Sequence, residues 1–176
     1  MGRPSVTVGI IANPASGRDI RRLVSHASVF PTAEKANMVQ RVLAALGALG
    51  VPRAVMMPDL TGICANVSRA QGRLHASPGL AWPDLEVLAM PNEDNVRDTL
   101  EAVARMVDRG VSAIVVLGGD GTHRAVAAKC GAIPLATLST GTNNVFPDLR
   151  EATVTGLAAG LVALGRVPRE VALRRN

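Results

Sequence analysis

Five short apolar runs, separated by segments with helical periodicity, constrain the fold of this chain more than any other feature. The runs occupy residues 6–12, 54–57, 86–90, 113–117 and 133–138. Their apolar character is continuous, which is typical of strands that are covered on both faces of a parallel sheet. Strands that alternate with helices predict an open α/β fold, with a mainly parallel sheet of about five strands and helices on both faces.

Helix signals occupy the segments between these runs. Thr32 is a candidate cap of one amphipathic helix, and Asn95 is a candidate cap of another, with Asp98 placed to complete a capping box. A short helix is expected at 64–71, and a helix-like segment covers 18–26. The residues of the Asn95 helix that we expect to face the sheet are Val96, Leu100, Val103 and Val107.

The last helical pattern, at 152–164, is apolar on nearly every side. Such a helix needs cover on more than one face. A strand-like pattern at 170–173 follows it, close to residue 176. We therefore expect the protein to continue beyond this residue.

Composition and apolar length exclude several classes of protein. Hydrophobic residues make up 48% of the 176 residues and charged residues 19%, which excludes a disordered chain. The net charge is +5, but the cations are scattered and aromatic residues make up only 2%, so we expect no nucleic-acid partner. No segment resembles a signal peptide or reaches the roughly 20 apolar residues that span a bilayer. Cys64 and Cys130 indicate free thiols, and we expect a cytoplasmic protein without a membrane partner.

The strongest chemical signal is the glycine-rich loop at 118–122, Gly-Gly-Asp-Gly-Thr, which lies between the fourth run and a helix expected to begin near His123. Glycines let backbone N–H groups approach a bound anion, and a helix N-terminus adds unpaired donors and partial positive charge. Asp120 is unfavourable beside a phosphate unless it handles a proton or a metal ion. The alternative interpretation is a tight turn in which Asp120 caps the helix.

Two further polar loops end strands. In the Asn13 loop, residues 13–17, Pro14 forces Asn13 out of the α region, and Ser16 and Gly17 offer a hydroxyl group and backbone donors to an anion.

The Asn144 loop, residues 139–144, supplies hydroxyl and amide groups that hydrogen-bond ribose or phosphate. A capped turn explains either polar loop by itself. Because the carboxyl ends of parallel strands share one edge of the sheet, we expect all three loops to line one crevice.

Two familiar phosphate-binding motifs are absent from the sequence. The chain has no G-x-x-x-x-G-K-[ST] segment, since Lys35 and Lys129, its two lysines, lie in no such loop. Arg124 stands where a dinucleotide fingerprint that starts at Gly119 needs glycine.

In combination, the three loops resemble the superfamily of NAD kinases, diacylglycerol and sphingosine kinases, and more distantly phosphofructokinases. The residues that carry the resemblance are Asn13-Pro14-x-Ser16-Gly17, Gly118-Gly119-Asp120-Gly121-Thr122-His123-Arg124 and Gly141-Thr142-Asn143-Asn144-Val145-Phe146-Pro147. The combination is most similar to the ATP-NAD kinase-like proteins of acetoin catabolism, and the similarity covers essentially the whole chain. It implies a two-domain kinase, of which residues 1–176 hold the N-terminal α/β domain and lack a C-terminal β-rich domain.

The resemblance also implies roles for these residues. Asp120 would accept the proton of the acceptor hydroxyl or act as a metal-linked carboxylate, and Asn144 would orient a nucleotide. The implied cofactors are ATP and Mg²⁺, with NAD as a candidate acceptor, and relatives of this kind also imply a homo-oligomer. The remaining nucleotide- or phosphate-binding candidates are Asn13, Ser16, Gly17, Gly118, Gly119, Gly121, Thr122, Thr140, Gly141 and Thr142.

Two departures from the family patterns keep alternatives open. Val145 stands where lipid kinases of this superfamily carry an acid, which argues against a lipid kinase. NAD kinases carry an Asn-Glu pair downstream of the glycine-rich loop, whereas the pair Asn92-Glu93 lies upstream of it. We therefore do not assign the role of that pair to Asn92 and Glu93, and NAD as acceptor is left open. The leading prediction is an ATP-dependent small-molecule kinase. The alternatives are a non-catalytic nucleotide-binding module and a lipid kinase.

Overall fold

The computed structural model describes residues 6–16, 31–74, 82–141, 144–145, 150–168 and 170. Strands and helices alternate along the chain, as the sequence predicts. In chain order the elements are β1 (Thr7–Ala12), α1 (Thr32–Ala48), β2 (Arg53–Met56), α2 (Ile63–Leu74), β3 (Asp84–Val87), α3 (Val96–Asp108), β4 (Ala113–Gly118), α4 (Asp120–Ala127), β5 (Leu135–Ser139) and α5 (Ala152–Ala163). Gly17, Thr142 and the patterns at 18–26 and 171–173 lie outside the described residues.

The strands form one sheet in the order β3-β2-β1-β4-β5, and every pairing is parallel. The chain adds β2 and β3 on one side of β1 and then places β4 and β5 on the other side. In open α/β sheets, ligands bind beyond the carboxyl ends of the strands at the point where the strand order reverses. Here that point lies between β1 and β4, where the Asn13 loop and the glycine-rich loop begin.

Both faces of the sheet are covered, which confirms the predicted fold class. Ile10 points to the face that α1, α2 and α5 cover, and the next residue, Ile11, points to the face that α3 and α4 cover. Both side chains are fully buried. For the central strands β1 and β4, two-sided burial explains why they read as continuous apolar runs rather than alternating ones, whereas the edge strand β3 is largely exposed. No helix in the described parts of the chain combines the length and apolar character needed to cross a membrane.

Helix α5 packs against α1 through small residues. A Cβ atom on Gly156 would lie 2.8 Å from the Ala45 Cβ atom and 2.9 Å from the Val42 carbonyl oxygen, so this position requires glycine. One on Gly160 would lie 2.7 Å from a methyl group of Leu49, whose side chain can move. The opposite side of the helix is covered less, because Val154 is 61% exposed. The helix contacts the sheet at β4 and β5 as well as α1, so the expected cover on more than one face is present, while the side that carries Val154 is exposed.

The largest differences between predicted and observed strand bounds are in β3, which also ends at Val87 rather than at residue 90, and in β5. β3 begins at Asp84, two residues before the predicted run at 86–90, because its register with β2 starts there. β5 begins at Leu135 rather than within the first residues of the run at 133–138, because its register with β4 starts at that residue. Pairing with the neighbouring strand sets where each strand begins, and this pairing cannot be inferred from the local apolar pattern.

Two helix starts also differ. Thr32 does not cap α1 but is its first residue, and Pro31 is the N-cap without a side-chain hydrogen bond. Helix α4 begins at Asp120 rather than near His123. Proline is tolerated at this N-cap because its fixed φ angle allows the extended backbone seen there, φ −63° and ψ 149°, and its missing N–H group is not needed before the helix.

The capping box of α3 is confirmed. The Asn95 side chain accepts a hydrogen bond from the backbone N–H group of Arg97, and Asp98 accepts one from the N–H group of Asn95. Val96 does not face the sheet as expected, because it is the first residue of the helix and is 60% exposed. The buried stripe of the helix begins at Asp98, and it includes the predicted Val103.

Candidate functional site

The three predicted loops meet at the carboxyl edge of the sheet. The Asn13 side chain donates a hydrogen bond to the Thr122 hydroxyl group over 2.7 Å, which joins the Asn13 loop to the glycine-rich loop. The hydroxyl groups of Ser16 and Thr140 are hydrogen-bonded over 2.7 Å, which joins the Asn13 loop to the Asn144 loop. The structure therefore brings the three loops together, as the parallel sheet predicts.

The Asn13 loop has a local reason for its shape. The Asn13 side chain accepts a hydrogen bond from the backbone N–H group of Ala15 at 2.8 Å, and the Ser16 hydroxyl group donates to the Asn13 carbonyl oxygen at 2.9 Å. Asparagine and serine commonly form such side-chain turns. The backbone N–H group of Asn13 also bonds to the Leu117 carbonyl oxygen of β4 at 3.0 Å. The turn is thereby held against the last residues of β4.

The glycines of the glycine-rich loop have different reasons to be glycine. A Cβ atom on Gly118 would lie 2.5 Å from the Cβ atom of Thr122, so the close return of Thr122 excludes a side chain there. A Cβ atom on Gly121 would meet nothing within 4 Å. Gly118 is therefore needed for packing within the protein, whereas Gly121 is exposed and leaves open space at the first turn of α4.

Asp120 is held by the Asn144 loop and the residue that follows it. One carboxylate oxygen of Asp120 accepts a hydrogen bond from the backbone N–H group of Val145 at 3.0 Å. The N-cap of α4 is Gly119, without a side-chain hydrogen bond. The alternative in which Asp120 caps the helix is therefore wrong, and its half-buried carboxylate serves a contact outside its own helix.

The Asn144 side chain closes over the start of α4. Its oxygen accepts a hydrogen bond from the backbone N–H group of Asp120 at 3.3 Å, and its nitrogen donates to the Ser139 hydroxyl group. A Cβ atom on Gly119 would lie 3.1 Å from the Asn144 side-chain oxygen, and a Cβ atom on Gly141 would clash with the same amide group. The Asn144 side chain therefore occupies a backbone N–H group of the helix N-terminus, the position at which we expect a phosphate to bind.

The sequence leaves two interpretations of His123 open, a phosphate contact and a surface position on the first helical turn. The residue is buried, with only 3% of its surface accessible, so the surface position is wrong. Its Nδ1 atom donates to the carbonyl oxygen of Gly119 at 2.9 Å. Its Nε2 atom is buried without a hydrogen-bond partner. The contact with Gly119 ties the imidazole ring to the backbone of the glycine-rich loop.

Lys35 is a residue that the sequence motifs did not single out. Its ammonium group donates to the carbonyl oxygens of Asn13, Pro14 and Ser16, and the residue is 1% exposed. A signal existed, because Lys35 lies one helical turn before Val39 on the buried stripe of α1. A lysine at an apolar position of a helix is seldom fully buried unless its charge is matched by polar partners.

The loop after β2 lies at the same edge but caps a helix instead. The Asp59 carboxylate accepts hydrogen bonds from the N–H groups of Ile63 and Cys64 and from the Thr61 hydroxyl group. Burial alone would raise the pKa of Asp59, but these hydrogen bonds hold it below its usual value. Burial and the neighbouring Asp59 charge raise the pKa of the Cys64 thiol to about 12. Cys64 is therefore protonated at neutral pH and is not a nucleophile.

Comparisons with known proteins agree with the resemblance that the motifs indicate. The family model of the ATP-NAD kinase N-terminal domain matches residues 8–167. Acetoin catabolism protein X from Cupriavidus necator strain H16 is 52% identical over 169 residues, which are 96% of this chain and 47% of that protein. The chain thus spans about half the length of this relative. No solved structure matches the chain. The chain belongs to the ATP-NAD kinase family, and it contains the N-terminal domain of that family.

Proposed function

We propose that the protein is an ATP-dependent phosphotransferase, with ATP bound where the three loops meet and a phosphoryl group transferred to a hydroxyl group of NAD or a similar small molecule. The observation that carries the proposal is the placement of Asp120. Its carboxylate is held by the Val145 N–H group at the first residue of α4, at the edge where the loops converge. A carboxylate in this position is suited to accept the proton of an acceptor hydroxyl group.

The chemistry asks little of Asp120 beyond its position. In phosphoryl transfer, the bond from the acceptor oxygen to the γ-phosphorus forms while the bond from that phosphorus to the leaving ADP oxygen breaks, and the hydroxyl proton passes to the Asp120 carboxylate. Catalysis of this reaction is mostly positioning and charge neutralisation. The hydrogen bond from Val145 supports this role because it fixes one oxygen of the carboxylate.

The phosphates are expected at the first turn of α4. The backbone N–H groups there point along the helix axis, and the helix dipole favours negative charge at this end. The open space at Gly121 supports this position. We propose that the phosphates compete with the Asn144 oxygen for the Asp120 N–H group, so that Asn144 is free to contact the nucleotide.

Mg²⁺ fits this site as an ion that the nucleotide brings. Asp120 carries the sole carboxylate among the described residues of the three loops, and no group of three acidic, histidine or cysteine residues suited to a metal occurs in the described residues. Mg²⁺ usually binds one or two carboxylates together with substrate phosphates and waters. We expect the phosphates and waters to supply the ligands of the ion, which would neutralise phosphate charge while the Asp120 carboxylate accepts the proton.

The acceptor and the metabolic setting are inferred from the relatives. The family description pairs ATP with NAD, so NAD is the first acceptor to test. The name of the relative from Cupriavidus necator supports a link to acetoin catabolism. A cytoplasmic location and a homo-oligomeric state stay predictions, and sedimentation of the purified protein tests the second.

A nucleotide-binding module without catalysis is the second candidate. It is favoured by the observation that the chain spans 47% of its relative, so the relative has as much chain again in which to carry acceptor contacts. NADP formation from ATP, Mg²⁺ and NAD, measured beside ATP affinity, separates the two candidates. A phosphotransferase forms NADP and loses it in Asp120→Asn. A binding module binds ATP and forms no NADP, and a protein that does not bind ATP contradicts both candidates.

A further inference from the structure

We propose that Lys35 is the positioning residue of the nucleotide site, and that it acts by holding the Asn13 loop in the shape that reaches both other loops. The inference rests on the proposed function in that its ligand is ATP. The contacts between Lys35 and the Asn13 loop do not depend on ATP. Lys35 is in helix α1, outside all three loops.

Three carbonyl oxygens of the Asn13 loop converge on the Lys35 ammonium group. The Lys35 ammonium group lies 3.0 Å from the Asn13 oxygen, 2.9 Å from the Pro14 oxygen and 2.5 Å from the Ser16 oxygen. Carbonyl oxygens that point at one place repel one another unless a cation lies between them. An ammonium group has three donors and a full charge, and hydrogen bonds from a charged donor are stronger than neutral ones. Lys35 thus serves the loop as an internal cation.

Two of these carbonyl oxygens belong to residues that also contact the other loops. Asn13 and Ser16 are the two residues of the loop whose side chains cross to the other loops, at Thr122 and Thr140. Lys35 holds the backbone of both, so its position decides where the two side chains point. A displacement of the loop by more than about 0.5 Å would lengthen both cross-loop hydrogen bonds, now 2.7 Å each, to or beyond the limit of the normal range.

Lys35 is carried by a buried part of helix α1. The stem of Lys35 lies on the buried stripe of α1 beside Ala36 and Val39, which are 1% and 0% exposed. Long charged side chains commonly bury their methylene groups in this way. The ammonium group is therefore fixed by a helix that packs on the sheet, and a rigid support of this kind is what a positioned site needs.

Lys35→Ala with chemical rescue is the test, because the deleted stem leaves room for propylammonium ion to occupy the carbonyl cradle. We expect the variant to bind ATP about tenfold more weakly, a loss that matches one charged hydrogen-bonding group. We also expect its Thr122 and Thr140 amide NMR signals to shift, and propylammonium chloride to return affinity and signals toward wild type. Lys129→Ala is the matched control, because it removes the same charge from an exposed position and leaves both unchanged.

A second variant keeps the test decisive if Lys35→Ala does not fold. Lys35→Met retains the length of the stem, and Asn13→Ala is measured alone and in combination with it. If Lys35 acts through Asn13, the effect of Asn13→Ala on ATP affinity and on the free energy of unfolding is smaller in the Lys35→Met background. Additive effects, or wild-type Thr122 and Thr140 signals in the Lys35 variants, overturn the inference.

Failure of the proposed function gives a different result. A wild-type protein that does not bind ATP contradicts the nucleotide site, while the NMR signals and the coupling in unfolding free energy still decide whether Lys35 positions the loop.

Discussion

The side-chain nitrogen of Asn13 lies 2.7 Å from the hydroxyl oxygen of Thr122, although the two residues are 109 positions apart in the sequence. The contact joins the end of β1 to the first turn of α4 at the point where the strand order of the sheet reverses. It links the Asn13 loop to the glycine-rich loop. The crevice between these loops therefore forms only when the chain is folded.

We expect this contact to contribute measurably to stability. Asn13→Ala and Thr122→Val each remove one partner, and a net hydrogen bond contributes about 1 kcal/mol, so the two variants should show a coupling of about that size in a double-mutant cycle. Urea unfolding of the wild type, both single variants and the double variant measures it. Strictly additive losses would show that the contact does not stabilise the protein.

Gly118 and Gly121 should respond differently to the same substitution. Gly118→Ala places a Cβ atom 2.5 Å from the Thr122 Cβ atom, and overpacking of this kind costs about 1–3 kcal/mol. Gly121→Ala places it in open space within α4, where alanine favours the helix by up to about 1 kcal/mol over glycine.

Gly121→Ala is nevertheless expected to weaken ATP binding, because the new methyl group occupies space that we assign to the phosphates. Urea unfolding and calorimetric titration with ATP, run on both variants, check the pair. An affinity for ATP equal to wild type in Gly121→Ala would place the nucleotide elsewhere.

Asp59 should make the stability of the protein depend on acid pH. Its pKa is lowered in the folded protein, so at acid pH the folded state binds fewer protons than the unfolded state. The stabilisation is present above the unfolded pKa, which is about 3.9, and is lost as the pH falls below it toward the folded pKa. Urea unfolding between pH 3 and pH 7 should show a smaller loss in Asp59→Asn than in wild type. Identical pH profiles would contradict the assigned hydrogen bonds.

Cys64 should be inert in the folded protein. Burial and the Asp59 carboxylate raise the pKa of its thiol to about 12, and the thiolate is the reactive form. Alkylation by iodoacetamide at pH 8, followed by mass spectrometry, should modify Cys64 far more slowly in the native protein than in urea. Equal rates in the two states would show that the thiol is accessible and ionised.

The sequence alone was sufficient to predict the sheet, its parallel strands and the meeting of the three loops, because these depend on apolar runs and on where parallel strands end. Strand register was not predictable in this way, and β3 begins at Asp84 because of its partner strand. The burial of Lys35 and His123 was not predictable for a related reason. Each of the two side chains is hydrogen-bonded to a backbone carbonyl group, Lys35 in the Asn13 loop and His123 in the glycine-rich loop. The residue pattern around each position does not predict these contacts.

Asp120 carries the central claim, and the direct test is turnover. NADP formation from ATP, Mg²⁺ and NAD is measured at saturating substrate for the wild type and for Asp120→Asn, which keeps an oxygen to accept the hydrogen bond from Val145. The account predicts that kcat falls by about 10²–10⁴-fold, the usual contribution of a general base, while ATP affinity stays near wild type. Turnover at the wild-type rate in Asp120→Asn would contradict it.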